Sequence, residues 1–100
     1  HITARKEKLG NNNYTSARLT TKNKFTFTYG KIDVRAKLPS GKGLWPAIWM
    51  LSNRQPLQWP YDGEIDIMEQ VGYDPHTIHA SIHCKQYNHK IGTQKTATVQ

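Results

Sequence analysis

The central strand of this chain is predicted by the stretch Asp62–Gly72, which reads DGEIDIMEQVG. Side chains of a β-strand alternate between its two faces, so Ile65 and Ile67 point to the same face. Glu64 and Asp66 then point to the other face. Apolar residues on one face and acids on the other predict a strand that covers a core with its apolar side and leaves the acids outside it.

A third acid breaks this alternation. Glu69 lies five residues after Glu64, so a regular strand would turn it towards the core. One inserted residue, a β-bulge, would return it to the face of the other acids, and bulges are common beside active sites. We predict that Met68 or a neighbour is the inserted residue and that all three acids face the same way.

Short stretches with the same period of two surround the central strand. The predicted strands cover residues 15–30, 30–39, 44–52 and 77–84, and the stretches 2–8 and 93–100 read as parts of strands. The residues expected to share an apolar face are Phe25 and Phe27 in the first, and Ile32, Val34, Ala36 and Leu38 in the second. No stretch shows the apolar spacing of a helix. This organisation predicts an all-β fold, an antiparallel sandwich or barrel.

Composition excludes several classes of protein. No apolar run approaches the roughly 20 residues of a membrane helix, and the first residues lack the apolar core of a signal peptide. The net charge of +7 is compatible with nucleic-acid binding, but the basic residues are scattered. The aromatic residues cluster with acids, which would repel phosphate. We therefore expect neither a nucleic-acid partner nor a membrane partner.

Length and cysteine content add two expectations. All-β sandwiches often need about 200–250 residues, so we expect these 100 residues to be part of a longer domain and not to fold alone. Cys84 is the single cysteine, so the chain has no internal disulfide. By its place in the alternation Cys84 is expected to pack in the core.

Three carboxylates this close together are electrostatically unfavourable. Like charges a few ångströms apart cannot all remain ionised, so the pKa of at least one must rise. A retaining glycosidase uses such an arrangement, with one ionised carboxylate as nucleophile and one protonated acid about 5–5.5 Å away. The alternatives are a charged surface strand without a function and a cation site. Calcium prefers oxygen ligands, but a strand does not wrap an ion as a loop does.

Tryptophans and histidines lie close to the acids in sequence. Aromatic faces stack on sugar rings, so Trp45, Trp49 and Trp59 are candidates for sugar contact; packing in the core is the alternative. His79 and His83 lie on the polar face of 77–84, and a zinc site is a second alternative for that pair. The spacing of a known zinc motif is absent, so we expect no metal site there.

These motifs together resemble glycoside hydrolase family 16. The stretch GEIDIME is similar to the family signature Glu-x-Asp-x-x-Glu in its bulged form. The flanking stretches RLTTKNKFTFTYGKIDVRAKLPSGKGLWPAIWML and HASIH resemble bacterial laminarinases, the endo-β-1,3-glucanases of that family. The resemblance implies a β-jelly roll of two curved antiparallel sheets, of which 1–100 are the central part of the catalytic domain. It also implies a retaining endo-β-1,3-glucanase. The alternatives are a sibling specificity, for mixed-linkage glucan or agarose, and a non-catalytic glucan-binding module.

The resemblance also implies roles for individual residues. Glu64 would be the nucleophile and Glu69 the general acid/base, with Asp66 between them and hydrogen-bonded to the nucleophile. The three tryptophans would line the sugar subsites, and His83 would form a hydrogen bond near the acid/base. The residues Asn88 and His89 match the laminarinase pattern without a role that the resemblance assigns.

Cofactor, partner and location follow from the same resemblance. Catalysis would need no cofactor, and a structural calcium would take its ligands from outside this segment. The partner would be a β-glucan polysaccharide, and the protein would be a secreted monomer.

Overall fold

The computed structural model describes all of residues 1–100 and divides them into two compact units. The first unit covers residues 1–32 and contains only two isolated antiparallel bridges, Arg5 with Thr15 and Leu9 with Asn12. The strands predicted at 2–8 and 15–30 are therefore wrong, because a strand needs consecutive pairings with a neighbour. The Phe25 and Phe27 rings do lie together, with centroids 5.9 Å apart.

The second unit, residues 33–100, contains one four-stranded antiparallel sheet. Its strands are β1 (Ala47–Leu51), β2 (Glu64–Val71), β3 (Asp74–His83) and β4 (Lys95–Val99), and a 3₁₀ turn (His89–Ile91) precedes β4. Each strand pairs with the next along the chain, in the order β1-β2-β3-β4. The all-β class and the central place of DGEIDIMEQVG are confirmed. The strands predicted at 44–52, 77–84 and 93–100 are confirmed within these bounds.

The bulge in β2 is visible on the side of β1. Ile48 pairs with Met68, and the next residue, Trp49, pairs with Asp66, so β1 has no partner residue for Ile67. Two residues of β2 therefore occupy the place of one, which is the definition of a β-bulge. The predicted insertion at Met68 or a neighbour is confirmed.

The pairing with β3 shows the same insertion. From Asp66 to Glu69 the chain of β2 advances three residues, while their partners Ser81 and His79 are two apart. Because the extra residue resets the alternation, Glu69 returns to the face of Asp66. The turn after β2 is tight, since Val71 already pairs with Asp74, the first residue of β3.

The stretch predicted as a strand at 30–39 forms no ladder with the sheet. Its alternation nevertheless holds over residues 33–38, because its apolar side chains share one hollow with those of the sheet. The lining residues are Val34, Ala36, Leu38, Ile48, Ile67, Met68 and Ile78. The period of two thus predicted which side chains share a face, and it did not predict a hydrogen-bonded neighbour.

Burial in this chain is the reverse of the expected pattern. No hydrophobic residue is fully buried, whereas six polar residues are, namely Asp66, Gln70, Thr77, Ser81, His83 and Asn88. On the apolar face the paired residues Ile65 and Ile82 are 47% and 52% exposed. Cys84 is only half-buried and unpaired, so its predicted place in a core is wrong within these residues. The polar face is the better covered one, because loops and aromatic rings lie over it. The chain has no helix with the length and apolar character needed to cross a membrane.

Candidate active site

The three acids of β2 meet on the polar face of the sheet. Burial is the largest cause of the raised pKa of Asp66, which reaches about 6. The negative charges of Glu64 and Glu69 raise the pKa further, so both carboxylates lie within electrostatic reach of Asp66. The bulge therefore produces the cluster of like charges that the sequence predicts, and its central acid has the raised pKa.

Each outer glutamate accepts a hydrogen bond from a tryptophan. The indole N–H of Trp59 donates to Oε2 of Glu64 at 2.5 Å, and that of Trp45 donates to Oε1 of Glu69 at 3.1 Å. Both tryptophans immediately precede a proline, Trp45 just before β1 and Trp59 in the loop before β2. Hydrogen bonds to a carboxylate orient it. Two of the predicted sugar-contact residues thus also contact the predicted catalytic acids.

The central acid has a histidine partner. Nε2 of His83 lies 3.1 Å from Oδ2 of Asp66, and both side chains are more than 90% buried. The histidine is the cross-strand neighbour of Glu64, whereas His79 is the neighbour of Glu69. The resemblance implied a hydrogen bond of His83 near the acid/base Glu69, whereas in the structure the partner of His83 is Asp66. Its other ring nitrogen, Nδ1, is buried without a hydrogen-bond partner.

Trp49 is the third tryptophan of the predicted set. It is half-buried on β1, directly across from Asp66. Trp45 is 67% exposed, which leaves ring surface open to a ligand. The structure thus brings all seven predicted residues to β1, β2, the end of β3 and their adjoining loops.

An ion pair braces the loop that carries Trp59. Nη1 of Arg54 lies 3.0 Å from Oδ1 of Asp62, and Oδ2 of Asp62 accepts the backbone N–H of Gln58 at 2.7 Å. The hydrogen bond from Gln58 is the largest cause of a lowered pKa of Asp62, and Arg54 lowers this pKa further. Asp62 is thereby a structural acid, while the other acids of DGEIDIME face the cluster.

A second layer of the site comes from the 3₁₀ turn. The His89 ring lies 4.8 Å from that of Trp59 and 5.3 Å from that of His83, measured between centroids. Nζ of Lys90 is 5.0 Å from the centroid of the Trp59 ring. Sequence reasoning left His89 without a role, because the contact joins residues about 30 positions apart and no local pattern signals it.

Metal ligation has no support among these side chains. No group of three or more histidine, cysteine, aspartate and glutamate residues has the arrangement of a metal site. His83, one of the two histidines of the zinc alternative, is engaged with Asp66.

An aspartate flanked by two glutamates on one face of an antiparallel sheet has the side chains that a glycosidase uses. The chain belongs to glycoside hydrolase family 16, since the family model described as an XgeA-like catalytic GH16 domain matches residues 1–100. A β-glucanase of Rhodothermus marinus is 51% identical over 102 residues, which cover 99% of this chain and 36% of the relative. A β-1,3-glucan-binding protein of Penaeus monodon is 56% identical over 64 residues, covering 63% of this chain and 18% of that protein.

Solved structures agree with this assignment. The laminarinase from Rhodothermus marinus superposes with a TM-score of 0.92 at 50% identity, over 97% of this chain and 40% of that one. The likeness confirms the jelly-roll class of the fold. The chain thus spans well under half the length of these relatives; that 1–100 are part of one catalytic domain stays a prediction.

Proposed function

We propose that the protein carrying this chain is a retaining endo-glycoside hydrolase that cleaves β-1,3-glucan, as in laminarin, by double displacement. The observation that carries the proposal is the bulge, which sets Glu64 and Glu69 on one face with Asp66 between them. The relatives named as a β-glucanase and a laminarinase support the same activity.

The proposed mechanism has two steps. Glu64 attacks the anomeric carbon while Glu69 protonates the glycosidic oxygen, which releases one half of the glucan. Glu69 then takes a proton from water, and this water displaces Glu64 from the sugar with net retention. Asp66, whose pKa is about 6, lies between the two acids. When Glu64 forms its bond to the sugar and loses its negative charge, ionised Asp66 keeps a negative charge in the site.

The remaining roles concern binding. The sugar-binding surface would be formed by Trp45, Trp49 and Trp59. His83 would hold the Asp66 side chain in place next to this surface. We propose a secreted monomer that acts on a β-glucan without a cofactor, with a structural calcium bound by residues outside this segment.

Two other functions remain as measurable alternatives. One is a sibling specificity within the family, for mixed-linkage glucan or agarose. The other is a non-catalytic glucan-binding protein, which the similarity to the Penaeus monodon protein favours. The presence of both glutamates at matching positions favours the enzyme.

The test is reducing-sugar release from laminarin by the full-length protein and by its Glu64→Ala and Glu69→Ala variants. The matched control is Glu7→Gln, a glutamate of the first unit. We expect both alanine variants to lose at least about 10³-fold in kcat and the control to be unchanged. Release only from lichenan or agarose would change the substrate, and binding without release from any glycan would overturn the enzyme.

Azide separates the two roles. On an activated aryl glucoside, Glu64→Ala with azide should yield the α-glucosyl azide, because one displacement inverts the anomeric centre. Glu69→Ala with azide should yield the β-glucosyl azide, because azide then replaces water in the second displacement. The opposite pair of products would exchange the two roles.

A further inference from the structure

We propose that His89 is a positioning residue for the nucleophile. It holds the Trp59 indole against Glu64, so that the carboxylate keeps its orientation during the reaction. The proposal rests on the proposed role of Glu64. It gives a function to the 3₁₀ turn, whose residues sequence reasoning could not assign.

The turn is fixed to the end of β3 by one buried side chain. Asn88 is 3% exposed, and its Oδ1 accepts the backbone N–H of Lys90 at 3.1 Å. Its Nδ2 donates to the carbonyl oxygens of Cys84 at 3.0 Å and Lys85 at 3.3 Å. A buried amide with both ends bonded has little freedom, so the backbone that carries His89 is held in place.

The His89 ring contacts the rings of Trp59 and His83, whose own centroids lie 6.0 Å apart. It is tilted 33° to the Trp59 ring at 4.8 Å and stands edge-on to the His83 ring, at 79° and 5.3 Å. Both geometries are among the favourable arrangements of aromatic pairs. Lys90 adds a cation 5.0 Å from the Trp59 centroid, which also favours the present position of that indole.

The two rings that His89 contacts each bond a different acid. Trp59 donates to Glu64 at 2.5 Å, and His83 lies 3.1 Å from Asp66. The side chain of His89 bonds neither acid, so its effect on them must pass through its neighbours. A contact that keeps the Trp59 N–H on Glu64 keeps the carboxylate in the orientation that attack requires, and a misplacement of about 1 Å at a reacting group can cost about 100-fold in rate.

The test compares kcat and KM on laminarin for the full-length protein with His89→Ala and His89→Phe. We expect His89→Ala to lower kcat about tenfold or more, because Glu64 loses its orientation, and to raise KM by a smaller factor, because Trp59 also belongs to the proposed sugar-binding surface. The His89→Phe variant keeps a ring face for Trp59 and should recover most of kcat. The matched control is His76→Ala, an exposed histidine on β3.

A double-mutant cycle with Trp59→Phe distinguishes the positioning role of His89 from a merely structural one. The phenylalanine removes the N–H that bonds Glu64, so His89→Ala should have little further effect on kcat in that background. Additive losses would mean that His89 acts independently of Trp59 and would overturn the proposal. A rise confined to KM would do the same, since it would make His89 a sugar contact.

Two safeguards keep the outcomes distinct. If His89→Ala fails to fold, His89→Leu fills the site without a ring and enters the same cycle. The Glu64→Ala variant is measured in parallel. Loss of activity there without an effect of His89→Ala overturns only the positioning role, whereas full activity of Glu64→Ala overturns the proposed function itself.

Discussion

Asp66 is the residue at which burial and charge act most strongly together. The residue is 5% exposed and lies between two glutamates, and the pKa of its carboxyl rises from 3.8 to about 6. The folded state therefore binds this proton more tightly than the unfolded chain does. By linkage, the contribution of Asp66 to stability is greatest below pH 3.8 and is lost as the pH rises to about 6.

Asp66→Asn should therefore stabilise the full-length protein increasingly as the pH rises. The asparagine carries no charge to desolvate and still accepts a hydrogen bond from His83. We expect a gain on the order of 1 kcal/mol at neutral pH, because water at the half-buried glutamates screens part of the repulsion. Urea unfolding of both proteins between about pH 4 and pH 8 measures the difference. A difference that shrinks with rising pH would contradict the expectation.

Asp62→Asn gives the opposite sign and serves as the control. The pKa of Asp62 is lowered, so its contribution to stability is present above 3.8 and disappears as the pH falls through its folded value. The variant should be less stable than the parent near neutral pH and should approach it in acid. Two aspartates four positions apart would then respond to pH in opposite directions.

At this scale the chemistry of a residue was predictable, but its partners were not. The three acids and their common face follow from residue type and parity. The hydrogen bonds of Trp45 and Trp59 do not, since they join each indole to an acid 24 and 5 residues away through loops of irregular shape. Similarly, His83 pairs with Asp66 because β2 and β3 lie side by side, a register that depends on the whole hairpin.

Among the elements, β2 shows why one residue decides the site. In a regular strand, acids at positions 64, 66 and 68 would share a face, whereas the acid here is at 69. The bulge absorbs the extra residue, and Ile67 and Met68 both line the apolar hollow. The alternation of side chains was enough to predict the bulge, because without it the charged Glu69 would point to the apolar face.

Deletion of Met68 should therefore preserve the site, and deletion of Ile67 and Met68 together should destroy it. The single deletion leaves Glu69 two residues after Asp66, so a regular strand presents both on one face. We expect it to retain laminarin hydrolysis within about 100-fold of the parent. The double deletion makes the two acids adjacent, on opposite faces, and activity should fall to the level of Glu69→Ala. Equal loss in both variants would contradict the role of the bulge.

Gly72, in the turn between β2 and β3, is a second position at which a single added atom would disturb the structure. A Cβ on Gly72 would lie 1.8 Å from the carbonyl oxygen of Gly41 and 3.1 Å from that of Leu44. The backbone N–H of Gly72 also donates to Leu44 at 2.8 Å, so the approach is part of the local structure. Both neighbours are backbone atoms, which cannot turn away as a side chain would.

Gly72→Ala should lower the free energy of unfolding by about 3 kcal/mol or more, since the residues 41–44 must move to admit the methyl group. The matched control is Gly30→Ala, whose Cβ would meet the Phe27 ring at 3.6 Å, an ordinary contact. Denaturant unfolding of the full-length variants measures both. Equal stability of Gly72→Ala and the parent would show that this close approach is absent in solution.

The limit of the periodicity argument shows at the scale of the chain. The strands predicted at 15–30 and 30–39 alternate as strongly as β3, yet neither has a hydrogen-bonded ladder. A strand exists only through its neighbours, and periodicity carries no information on which neighbours are present. The same cause underlies the exposed apolar face, because alternation shows which side chains would be covered without showing what covers them.

For residues 1–100 expressed alone, we expect no cooperative unfolding and strong binding of a hydrophobic dye such as ANS. Apolar burial is the main driving force of folding, and no hydrophobic residue here is fully buried. The full-length protein is the control and should unfold in one sharp transition with little dye bound. A sharp transition of 1–100 without dye binding would mean that the sheet is stable with its apolar face uncovered. It would also mean that the polar face, with its acid cluster and aromatic rings, supplies most of the stability of this segment.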